Sequence, residues 1–123
     1  MTNQEILDLE ELIKNKALVA QFMGAKVTYP YDKPDKNIIK EGNNSPLFYY
    51  VDNTSPSLFR NMSHVEVKYD SSWDWLIPVW SKINNKYFLE DWQNRRFNDY
   101  VANDVVDLAF ETIVIFLKEN GNL

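Results

Sequence analysis

The sequence predicts an α+β fold, an antiparallel sheet of about three to four strands with helices packed on it as an α-β-α sandwich. Three observations carry that expectation: helical apolar periodicity near both ends of the chain, β-favouring segments between them, and a tryptophan-rich stretch behind a polar cap.

The first helix begins at Thr2-Asn3-Gln4-Glu5, which reads as a capping box. Ile6, Leu9, Ile13, Ala17 and Ala20 then recur three or four apart, and Phe22 and Met23 close the run before Gly24, a natural left-handed terminator. Lys26 to Tyr31 alternates polar with β-favouring residues, and Pro30 confines it to a sheet edge or ends it. Asp32 to Ser45 is rich in Asp, Lys, Asn, Gly and Pro and reads as a loop. Leu47 to Val51 is an aromatic strand candidate. Val65 to Tyr69 is a second, with Val65, Val67 and Tyr69 on one face and Glu66 and Lys68 on the other. Between them, Asp52 to Met62 reads as a turn-rich connection.

Three tryptophans surround Pro78 in the stretch Asp70 to Ile83. With Asp70 or Ser72 as cap, Trp73, Leu76, Ile77, Trp80 and Ile83 form one helical stripe and leave Trp75, Val79 and Lys82 on its flanks. Pro78 removes the amide that would bond the Asp74 carbonyl, which predicts a bend there. Tyr87 to Tyr100 holds neither period cleanly and is assigned a short helix. Asn103 is read as the cap of a last helix, whose apolar face is Val105, Val106, Ala109, Phe110, Ile113, Phe116 and Leu117 and which Gly121 ends.

At 123 residues, with 45% hydrophobic and 15% aromatic content, the chain is expected to fold as one domain spanning 1–123. No cysteine is present, which excludes thiolate catalysis and cysteine-based metal sites and fits a reducing cytosol. A net charge of −5 disfavours sequence-independent nucleic-acid binding. The acidic N-terminus lacks the basic start of a secretory signal, and no apolar run approaches a membrane span, so a cytoplasmic protein with no membrane partner is expected.

Three segments in order, Leu18 to Gly24, Ser72 to Val79 followed by Lys82-Ile83, and Ile113 to Leu117, resemble the phage ABA-sandwich domain, a family of small phage and prophage proteins. The match spans most of the chain apart from Asp32 to Met62 and Tyr87 to Tyr100, and Trp73-Asp74-Trp75-Leu76-Ile77-Pro78-Val79 is its most specific part. The resemblance implies helices on both faces of a sheet and a setting in a bacterial host. It brings no catalytic residues.

No motif announces a reaction. Arg95-Arg96 is the one paired arginine, flanked by Trp92 and Phe97, a mixture suited to anchoring a phosphate while an aromatic ring covers a base. Arg95, Arg96, Trp75 and Trp92 are therefore the candidate ligand-binding residues, with no catalytic residue, metal ligand or cofactor assigned. The corresponding function is a non-catalytic binding protein acting by sequestering a nucleotide signal or a host or phage protein, in the manner of counter-defence. Surplus aromatics at Tyr49, Tyr50, Trp75, Trp92 and Phe97 add an expectation of homo-oligomerisation. The alternative is a small hydrolase or nuclease using His64, the single histidine, with Glu66, Asp70 and Ser71 or Ser72. A divalent cation between Asp104, Asp107 and Glu90 or Asp91 is the weaker reading of acids that favour helix starts anyway.

Overall fold

The computed structural model describes residues 2–28, 47–51, 59–62 and 67–120, with the backbone alone described for 26–28, 47–51 and 59–62. Where side chains are described, the protein is helical: four helices account for 78% of those residues and none of them lies in a strand. This overturns the expected α+β sandwich and, with it, the ABA-sandwich architecture implied by the resemblance. The chain divides into two compact units, one of residues 1–67 with 123 and one of residues 68–122.

In the first unit, helix α1 spans Asn3–Phe22. The Thr2 hydroxyl accepts from the Glu5 amide at 3.2 Å and lies 3.2 Å from the Glu5 carboxylate, to which it donates. Ile6, Ile13, Ala17, Val19, Ala20 and Phe22 are buried. The helix ends in a Schellman motif, with the Gly24 amide on the Gln21 carbonyl at 3.0 Å and the Ala25 amide on that of Ala20 at 2.9 Å. Gly24 takes φ 93°, which its missing Cβ permits.

Three short strands follow, β1 Lys26–Thr28, β2 Leu47–Val51 and β3 Phe59–Met62, paired antiparallel in the order β1-β2-β3. Lys26 faces Tyr49 across one pair, and Tyr49 faces Asn61 across the other. β3 lies inside the stretch read from sequence as a connection. The strand expected at Val65 to Tyr69 is not found in its described part: Val67 and Tyr69 are buried and Lys68 exposed, as alternation requires, but the Lys68 carbonyl accepts the amides of Ser71 at 3.2 Å and Ser72 at 2.9 Å. That turn leaves the carbonyl no role in a ladder. Residues 29–31 and 63–66, and the segment 32–45 expected as a loop, lie outside the described residues.

The second unit is built from α2 Trp73–Lys86, α3 Asp91–Ala102 and α4 Val106–Asn120. Leu76, Val79, Trp80 and Ile83 are the buried face of α2. The expected stripe is therefore rotated, because Val79 is fully enclosed and Ile77 is 46% exposed. Pro78 and Asp74 are both exposed, and the helix runs on through the proline to Lys86. α3 is longer and more regular than its sequence suggested. The Gln93 side chain accepts from the Glu90 amide at 2.8 Å and so closes the first turn.

Phe97 joins α2 to α3. Its ring stacks on Trp80 with centroids 4.5 Å apart and planes at 4°, and Trp73 meets it edge-on at 6.1 Å and 89°. The Trp80 indole N–H donates to Asn94 Oδ1 at 3.2 Å, one turn before Phe97 on the same face of α3. Asn103 does not cap α4. It ends α3, where the amides of Asp104 and Val105 bond the carbonyls of Val101 and Tyr100, both at 3.1 Å, in a second Schellman motif. Asp104 occupies its left-handed position at φ 54° and accepts from the Trp73 indole N–H at 2.7 Å. Ala109, Phe110, Ile113, Val114 and Leu117 are the buried face of α4.

Two outcomes follow from this packing. Phe97→Ala removes a ring buried to 4% exposure and held by two aromatic partners, and is expected to cost about 3–5 kcal/mol in urea unfolding, with Phe97→Leu losing less. At the α3–α4 turn, Asp104→Asn keeps both an acceptor for Trp73 and tolerance of positive φ, and is expected to unfold near the wild-type midpoint. Asp104→Ala loses both and should fall below it by about 1–3 kcal/mol.

Candidate functional site

A groove between α3 and α4 brings together two of the four sequence-derived candidates, Trp92 and Arg96. Its volume is about 160 Å³, and α3 contributes Trp92, Gln93 and Arg96 to one wall. The opposite wall is Thr112, Ile115, Phe116 and Glu119 of α4, and Trp80 of α2 forms part of the lining between them. The spacing explains the arrangement, since residues i and i+4 on α3 and i, i+3, i+4 and i+7 on α4 each share one face of their helix.

Each wall is held by local contacts. The Trp92 indole N–H donates to Glu90 Oε2 at 2.6 Å, which ties a half-exposed ring to the residue preceding α3. Trp80 is 8% exposed, so the groove reaches a ring that is otherwise core. Its stack on Phe97 and bond to Asn94 fix the indole plane. On α4, the Thr112 hydroxyl donates to the Leu108 carbonyl at 2.9 Å and stands 3.3 Å from the Tyr100 hydroxyl. Phe116 is met edge-on by Tyr87 at 5.1 Å. The Lys86 ammonium lies 5.6 Å from the centre of the Tyr87 ring.

Of the four candidate residues, Trp92 and Arg96 line this groove, whereas Arg95 and Trp75 do not. Arg95 is exposed one position round the helix. Trp75 is half-buried on α2 and meets Tyr69 edge-on at 5.1 Å. Phe97, expected as surplus surface aromatic area, is core. The side chains of Tyr49 and Tyr50 lie outside the description, as do His64 and Glu66 of the hydrolase alternative. Among the described residues no group of three or more acidic or histidine side chains could hold a metal ion, and Asp104 is engaged by Trp73. Among the described residues, too, no helix is long and apolar enough to cross a membrane.

Sequence reasoning missed Trp80, Gln93, Thr112, Ile115 and Glu119 as groove residues. Trp80 and Phe116 were assigned to apolar core stripes, a role that each also fills in part. The legible signal was the paired arginine Arg95-Arg96 with Trp92 close by in sequence; the regular helix α3 then sets Trp92 and Arg96 four apart on one face and turns Arg95 away. No family model matches the chain, and neither a curated protein nor a solved structure similar to it was found.

Proposed function

We propose that this chain is a non-catalytic binding protein that sequesters a small anionic ligand bearing a planar ring system, of the nucleotide class. The observation that supports it is the meeting of Trp92, Arg96 and Trp80 in one cavity. A cavity of about 160 Å³ matches the roughly 150 Å³ known to take a benzene ring, and falls short of the ~300 Å³ at which drug-sized pockets begin. That volume takes one ring of a base, which leaves the rest of the nucleotide, a purine's second ring included, at the mouth beside the half-exposed Trp92.

The chemistry of the walls supports the same class. Stacking of a base on an aromatic side chain contributes about 1–3 kcal/mol, and a charge-assisted bond from a guanidinium to phosphate adds about 1.5–3 kcal/mol. Those magnitudes, before the cost of association, correspond to affinities nearer 1 mM than 1 µM (about −4 against −8 kcal/mol). Among the described residues Arg96 has no ion pair or hydrogen bond, so its charge is available to a ligand. The absence of cysteine fits the reducing cytoplasm in which such a ligand is found.

Isothermal titration with nucleoside monophosphates tests the reading. Arg96→Ala is expected to weaken binding about tenfold or more, while Arg95→Ala stays within about twofold, because one lost charge-assisted bond exceeds the ~1.4 kcal/mol of a tenfold change. Equal loss in both variants, or binding in neither wild type nor variant, contradicts it.

A further inference from the structure

We infer that Glu119 makes the α3–α4 groove selective for guanine over the other nucleobases, an inference that rests on the nucleotide reading of that groove. α3 and α4 are joined by the short turn at residues 103–105, and Tyr100 stands 3.3 Å from Thr112 across it. The helices therefore run back along each other from that contact. Arg96, one turn before Tyr100, comes level with Ile115 and Phe116, one turn after Thr112. Trp92, a further turn away, comes level with Glu119. The ring platform and the carboxylate share the end of the groove remote from the turn, and the guanidinium lies nearer the turn.

This order gives each group a separate part of one nucleotide. A base stacked on Trp92 presents its edge to Glu119, and its phosphate is directed to Arg96, about one helical turn (roughly 5.4 Å) further along the walls. An ionised carboxylate only accepts hydrogen bonds, and it has two oxygens to satisfy. Guanine alone among the common bases offers two adjacent donors, N1–H and the N2 amino group, to such a pair. Adenine and cytosine set a ring acceptor beside their amino group, and uracil flanks its one N–H with two carbonyls. Each of those places a lone pair against a carboxylate oxygen. Glu119 is exposed, so water competes for it and the discrimination is of the order of tenfold, well below what a fully enclosed site reaches.

The test is titration of the full chain with GMP, AMP, CMP and UMP, followed by the same series on Glu119→Gln, with circular dichroism confirming that the variant keeps its helices. GMP is expected to bind about tenfold more tightly than the other three, and Glu119→Gln is expected to lose that preference, because an amide offers one donor and one acceptor and so pairs with the edge of adenine or cytosine at least as well as with that of guanine. Equal binding of the four nucleotides overturns the inference and leaves the groove as a nucleotide site. A guanine preference that survives in Glu119→Gln overturns the role of Glu119. Failure of all four to bind overturns both the inference and the reading beneath it.

Discussion

The stacking of Phe97 on Trp80 is the contact on which the C-terminal helices depend. The two rings lie 4.5 Å apart and 4° from parallel, and through them α2 and α3 hold a common face. An offset stack contributes about 0.5–1.5 kcal/mol beyond the area it buries, and it also fixes an orientation that aliphatic packing leaves free. Because Trp80 bonds Asn94 as well, the α2 indole is held by two residues three apart on α3. The same ring lines the α3–α4 groove, so core and candidate site share an atom set. A change that tilts Trp80 reshapes both.

The second constraint is the turn at Asp104. Its left-handed backbone lets α3 stop and α4 start within three residues, and its carboxylate anchors the Trp73 indole at the head of α2. One residue thus sets the reversal of two helices and ties a third to the reversal point. Asp is among the few residues that tolerate this conformation, which is why a non-glycine residue serves there. With the turn fixed, the walls of the groove are set by helical spacing alone: one turn separates Trp92 from Arg96, and two separate Thr112 from Glu119.

What could be read from the sequence follows from how local each signal was. The Thr2 cap, the Gly24 terminator and the periodic faces of α1 and α4 depend on neighbours within a few residues, and they stand in the structure close to where they were expected. The sandwich expectation failed where a pattern required a partner. Val67 to Tyr69 alternates as a strand does, yet Lys68 spends its carbonyl on the Ser71 and Ser72 amides. Residues 91–102 concealed a full helix, because its faces serve three different purposes: Phe97 is buried on α2, Trp92 and Arg96 line the groove, and Arg95 faces water. Of the site, Trp92 and Arg96 were legible from composition and adjacency. Glu119 was not, since only the α3–α4 reversal brings it to the same groove.

The α3–α4 groove lined by Trp92 and Trp80 is the proposed ligand site. The four tryptophans offer a direct readout, because their indole N–H groups occupy distinct surroundings: Trp73 on Asp104, Trp80 on Asn94, Trp92 on Glu90, and Trp75 beside Tyr69. The measurement is a nitrogen–proton correlation spectrum of those four groups during titration with GMP. Binding in the groove is expected to move the Trp92 and Trp80 resonances together to saturation while those of Trp73 and Trp75 stay in place. Movement confined to Trp73 or Trp75, or no movement at saturating nucleotide, contradicts it.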